Sequence, residues 1–177
     1  MPGLAAEGPL SGPTYKLALV VSESPTLRVA CGLAADDAAA ADKLIDGVGH
    51  AKRIWYPTAP TLETLAKPAA IVSRPADAQH WERVAGGSQN YLWPRGNLRV
   101  TFTDEGRHGR DLELSQRYFD NLVGKIVDEI KDLAGRDDRL TIHTITEEQG
   151  PVLPEEWDEA GQDALYFWAS YLFEWGR

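Results

Sequence analysis

The residues best equipped for chemistry in this chain stand together at Asp104-Glu105-Gly106-Arg107-His108. Two carboxylates and an imidazole at a hairpin tip can share a metal ion or divide acid and base duties. The plainer reading of the same run is a solvated turn. His50 follows a Gly-Val-Gly stop, His80 lies in a Gly-, Gln- and Asn-rich stretch, and His143 falls inside a strand pattern. None of the three has a partner at ligand spacing, so each reads as a surface or structural histidine. Gly86-Gly87 lacks the strand-to-helix junction that a phosphate cradle needs. Asp137-Asp138 and Glu147-Glu148 read as solvated faces. A phosphate-binding loop with Lys-Ser/Thr, a zinc-type Cys or His pair, a nucleophile elbow and a dinucleotide fingerprint are all missing from the sequence. The expectation is therefore a protein that is not an enzyme, with no catalytic, metal or cofactor residue assigned. A small metal-dependent hydrolase built on Asp104, Glu105 and His108 is the alternative from another class. A ligand-binding module with a pocket under residues 74–97 is a third.

The elements that would position these residues follow from periodicity. Tyr15–Glu23 reads as a short helix or a strand. Ser24-Pro25 reads as an N-cap with proline at the first helical position; Leu27, Ala30 and Cys31 would face inward and Gly32 would stop the turn. Asp36 or Asp37 can cap a helix over Ala38–Asp46 that docks Leu44 and Ile45 and ends at Gly47 and Gly49. Pro68–Ser73 predicts a strand entered through proline. Residues 74–97 read as a long loop, with a helical turn around Asp77–Ala85. Leu98–Asp104 alternates cleanly and predicts a half-buried strand. Asp111 caps the longest helix, which runs to Ala134 and presents a wide apolar stripe from Leu112 to Leu133. Leu140–Thr146 is a further strand, Gly150-Pro151 a turn, and residues 154–162 an acidic loop.

The terminal segment Ala164–Trp175 reads as one long aromatic strand. Leu165, Phe167, Ala169, Tyr171, Phe173 and Trp175 share one face, and Tyr166, Trp168, Ser170, Leu172 and Glu174 the other. A sheet packed on one side only should be polar on its other side. This strand is not, so its second face needs cover. The aromatics Trp81, Tyr91 and Trp93 in the long loop either anchor protein–protein contacts or cap their own sheet. Trp157, inside an acidic loop, either folds onto the core or meets a partner. Trp81, Tyr91, Trp93, Trp157, Tyr166, Trp168 and Leu172 are the candidate interface residues.

The fold class expected is α+β: a mainly antiparallel sheet of about four strands, one long helix packed on a face, and short N-terminal helices. The 177 residues suit a flexible N-terminal arm at 1–13 and a single domain at 14–177. No run approaches the ~20 apolar residues of a bilayer span, and the Gly-, Pro- and Ala-rich start does not read as a secretory signal. One cysteine, Cys31, excludes an intramolecular disulfide and reads as a buried structural thiol. A formal charge of −9 argues against gripping a phosphate backbone, though not against letting nucleic acid slide past.

The order and layout from Tyr15 to Trp175 resemble the tail terminator (tail completion) proteins of long-tailed bacteriophages. The resemblance is carried by Leu17-Ala18-Leu19-Val20, Ser24-Pro25-Thr26-Leu27, the proline-led Lys67-Pro68-Ala69-Ala70-Ile71-Val72, the Leu98–Thr103 strand, Ile126-Val127-Asp128-Glu129-Ile130 and the closing Glu174-Trp175-Gly176. It implies a subunit of a ring, six-membered as the family's rings are, at the head-proximal end of the tail tube. Such a ring ends tube polymerisation and joins the tail to the head connector (stopper) proteins. The partners implied are further copies of itself, the tail tube protein and the connector, with DNA passing through unbound and no membrane. The location implied is the virion, after assembly in the host cytoplasm. Another neck or head-completion protein of the same junction is the nearest alternative.

Overall fold

The computed structural model describes residues 12–56, 59–75, 79–86, 89–108, 111–136, 140–152 and 166–176. It is an α+β fold in two layers, a six-stranded sheet and a layer of helices. The helices are α1 (Gly12–Glu23), α2 (Pro25–Ala30), α3 (Ala40–Leu44) and α4 (Leu112–Ala134). The strands are β1 (Ile54–Trp55), β2 (Ala69–Ser73), β3 (Gln79–Gly86), β4 (Gln89–Glu105), β5 (Thr141–Val152) and β6 (Tyr166–Gly176). The sheet runs β1-β2-β4-β6-β5, with β3 paired to β4 off that path. All pairings are antiparallel except β1 with β2.

Tyr15–Glu23 resolves as helix. Gly12, Pro13, Thr14, Leu17, Ala18, Val20, Val21 and Ser22 are all buried, around most of the helix circumference, with Lys16 on the open side. A helix apolar on nearly every side belongs in the interior, and α1 packs against α2, α3, α4, β1 and β2. That surrounding outweighs the β preference of two adjacent valines. The helix begins at Gly12, two residues inside the segment expected to be an arm; residues 1–11 lie outside the described residues.

Helix α2 is built as expected. The Ser24 hydroxyl accepts the Leu27 N–H at 3.1 Å, Pro25 opens the helix, and Gly32 takes φ +83° just past its end. Ser24 also donates to the Glu129 carboxylate of α4 at 2.5 Å, and Thr26 donates to it through its hydroxyl (2.5 Å) and its N–H (3.1 Å). One carboxylate thus joins two helices far apart in sequence. Helix α3 is shorter than expected, five residues with Ala39 at its cap. Asp37 still serves its start, accepting the Ala39 N–H at 2.9 Å and pairing with Lys43 at 2.6 Å.

Helix α4 has the expected bounds, Asp111 capping the Leu114 N–H at 2.9 Å. Its stripe (Phe119, Leu122, Val123, Ile126, Ile130) is buried. It faces Phe167, Ala169, Phe173 and Trp175 of β6 and their register partners Asp104, Phe102, Leu98 and Gly96 of β4. Phe119 and Phe167 stack at 5.8 Å between centroids. Leu165, expected on the same face, lies outside the described residues.

Three expectations are corrected. The sheet has six strands rather than about four, because β1 and β3 join it. Residues 74–97 are not a loop with a helical turn: Gln79–Gly86 is strand, hairpinned to a β4 that starts at Gln89. The missed signal is Gly87-Ser88, at a two-residue hairpin spacing, between segments that place Trp81 and Val84 before it and Tyr91 and Trp93 after it. Pro94 obscured it, yet proline is tolerated where a strand has a free edge. Finally, Gly150-Pro151 does not turn the chain, since β5 continues to Val152. Irregular register between Glu147 and Val152 absorbs the glycine and proline.

Two stability outcomes follow. Glu129→Ala removes the acceptor of three hydrogen bonds to the start of α2 and should cost about 1–3 kcal/mol in urea unfolding. Phe167→Ala opens the β6–α4 stack and should cost about 3–5 kcal/mol. A loss below about 0.5 kcal/mol for either would show that the contact does not hold the helical layer.

Candidate interaction surface

The even-numbered positions of β6 face away from the helices. Along this outer face Tyr166 lies opposite Glu105, Trp168 opposite Thr103, Ser170 opposite Thr101 and Leu172 opposite Arg99 of β4. Tyr166, Trp168 and Leu172 are each half-buried. Ile71 of β2, opposite Thr101, is half-buried beside them.

Polar residues frame this apolar strip. Thr101 and Ser170 share a hydroxyl hydrogen bond of 2.8 Å. Arg99 reaches across β6 to Glu148 of β5 in a two-pronged ion pair, 2.5 and 3.0 Å. The Arg99 guanidinium holds the Glu148 carboxyl below the usual carboxylate range. Lys67 places its ammonium 5.0 Å from the Tyr166 ring centre. At the corner where the β3–β4 hairpin leaves the sheet, Arg95, Asn97, Thr144, Thr146, Leu172 and Glu174 line a cleft of about 250 Å³.

The loop-borne candidates are distributed differently. Trp81 is in β3, paired in register with Pro94; Trp93 pairs with Glu82 and Tyr91 with Val84. All three belong to the hairpin rather than to an irregular loop. Trp157 lies outside the described residues. Tyr166, Trp168 and Leu172 are therefore brought together on one face, while Trp81, Tyr91 and Trp93 are gathered on one projecting element.

The Asp104–His108 run does not converge. Asp104 is an inner-face position, 1% exposed, while Glu105 is exposed. The Asp104 carboxylate accepts from Arg107 at 2.8 and 3.2 Å and from the Glu105 N–H at 2.8 Å. Arg107 also lies 5.5 Å over Tyr118, and exposed His108 meets the same ring edge-on. This turn braces the entry to α4, with its acid already neutralised by its own cation. Among the described residues no three His, Cys, Asp or Glu side chains are grouped to hold a metal ion, and no helix is long and apolar enough to cross a membrane.

His50 is structural: its ring nitrogens meet the carbonyls of Ala51 at 2.8 Å and Cys31 at 3.1 Å. His143 is exposed on β5. Cys31 is 5% exposed, and burial pushes its thiol up to about 11.

No protein-family model matches the chain, and no curated protein matches it.

Sequence reasoning found the strip but missed Arg99 and Glu148 as its fasteners. Alternation marked Arg99 as outward-facing; its partner depends on the β4–β6–β5 register, which alternation does not supply.

Two outcomes test this surface chemistry. Because the Glu148 pKa is lowered from 4.5 on folding, its pairing contributes stability above that pH, and the contribution is lost as acid protonates the folded carboxylate. Both partners are well exposed, so Glu148→Gln should cost only about 0.5 kcal/mol at neutral pH. The difference from the native chain should vanish in acid; a constant difference would rule out the ion pair. Separately, Cys31 should react with a thiol reagent orders of magnitude more slowly in the folded than in the denatured chain. Equal rates would contradict its burial.

Proposed function

We propose that this protein is a structural virion component, a tail terminator. It forms a ring at the head-proximal end of a phage tail tube, ends tube polymerisation and offers a docking face to the head connector. The observation that carries the reading is the outer face of β6. Tyr166, Trp168 and Leu172 stay half-buried on the face of β6 opposite the one that carries the buried Phe167, Ala169, Phe173 and Trp175. A subunit that assembles has a use for such a strip, since the fully buried part of an interface is enriched in aromatic residues. A ring requires a head-to-tail contact whose rotation closes.

The sequence resemblance supplies the identity of the ring, and the charge suits its channel. DNA crossing an acidic lining is repelled at every wall and slides without adhering. The partners on this reading are further copies of the chain, drawn into a hexamer, the tube protein below and the connector above.

Light scattering coupled to size exclusion should report a discrete oligomer, or a monomer that assembles when tail tube protein is added. Leu172→Asp should weaken that assembly about tenfold or more while leaving the unfolding midpoint nearly unchanged. A chain that stays monomeric at every concentration and ignores tube protein would overturn the proposal.

A further inference from the structure

Arginines of β4 lie over the outer side of β6 at both ends of the corner cleft. At one end, a Cβ on Gly176 would come 2.8 Å from His143 Nε2 and 3.1 Å from Cγ and Nε of Arg95. The bare glycine thus lets Arg95 from β4 and His143 from β5 approach one another over β6. At the other end Arg99, in register with Leu172, crosses β6 to Glu148. Between the two crossings runs the row Asn97–Glu174–Thr144, in register across β4, β6 and β5. Arg95, Asn97, Glu174, Thr144, Thr146 and Leu172 line the space that remains.

The hydrogen-bonding groups of this lining are dense and mixed. The ionised Glu174 carboxylate only accepts, the Arg95 guanidinium only donates, and Asn97, Thr144 and Thr146 do both. Arg95 has a further contact, which its five N–H donors accommodate. Leu172 supplies an apolar patch. Arg95 and Glu174 leave the lining without net charge, and the adjoining Arg99–Glu148 pair cancels itself. An anion here gains from Arg95 and loses to Glu174, and a cation the reverse. A neutral ligand bearing many hydroxyls uses both. The volume of about 250 Å³ falls just below the ~300 Å³ at which drug-sized pockets begin, which suits one small ring.

We propose that this cleft binds a neutral polyhydroxyl ring, a single pyranose unit of a carbohydrate. Glu174 accepts from ring hydroxyls, Arg95 and Asn97 donate to them, and the two threonines close the β5 side. The C–H face of the ring rests on Leu172. The site shares Leu172 with the assembly strip proposed above, and its polar groups lie beside that strip.

The test uses the full chain with labelled methyl groups, titrated separately with methyl glucopyranoside, methyl galactopyranoside and N-acetylglucosamine. At least one should shift the methyl resonances of Thr144, Thr146 and Leu172, with a Kd of about 1 mM. The methyls of buried Leu17 and Ile126 should stay in place. Glu174→Gln should weaken the binding about tenfold or more, with the unfolding midpoint retained. Asn97→Ala should do the same, and it decides if the first variant does not fold. Cyclohexanol, a ring with a single hydroxyl, should leave the cleft methyls unmoved. The proposal is overturned if no sugar moves them, if cyclohexanol moves them equally, or if inorganic phosphate or n-butylammonium binds there and the sugars do not. Light scattering tests the ring separately: a monomer that binds sugar loses the ring alone, and an oligomer that binds none loses the cleft alone.

Discussion

The constraint on which this structure depends is that one central strand, β6, carries large apolar side chains on both faces, while the inward face alone holds the buried core. On the inner side, Phe167, Phe173, Leu98 and Val100 vanish beneath α1 and α4. Each large side chain so buried contributes about 1.5–3 kcal/mol, and the fold is organised to obtain that. Helix α1 is almost wholly enclosed, α4 lies over β5 and β6, and α2 is tied to α4 through the Glu129 carboxylate. Among the described residues the outer side has no helix packed on it that any contact shows. It is managed by partial measures: a shared hydroxyl bond, a guanidinium laid across to the neighbouring strand, and an ammonium beside an aromatic ring.

The long-range order of the fold was legible wherever one periodicity ran without interruption. Helix α4 could be bounded from Asp111 to Ala134 because its stripe never breaks and its cap is an aspartate. The two faces of β6 could be assigned because the strand runs unbroken from Tyr166 to Gly176, so side-chain direction follows from position alone, even where burial departs from alternation at Ser170 and Tyr171. Legibility failed where punctuation residues sit inside strands. Pro94 and the Gly150-Pro151 pair are normal loop markers, but both occupy strand margins where a missing N–H or an irregular register is tolerated. The two residues of β1 are too short to leave any periodic trace.

The interface candidates divide along the same line. Tyr166, Trp168 and Leu172 were found because polarity fails on alternate positions, a property of the strand itself. Trp81, Tyr91 and Trp93 were noticed as costly residues in a supposed loop, which gave their importance without their geometry. Asp104 shows the opposite error. Adjacent in sequence to Glu105, it is separated from it by the pleat, which sends neighbours to opposite faces, and its carboxylate is taken up by Arg107.

The strand at the sheet's free margin, β5, has a consequence of its own. Its register breaks between Ile142 and Thr144, again between Glu147 and Gln149, and once more before Val152, and it exposes the carboxylates of Glu147 and Glu148. Such a border is a poor template for an incoming chain, since irregular spacing and like charge defeat continuous backbone pairing. That margin of the sheet therefore turns away strand-by-strand extension by another chain.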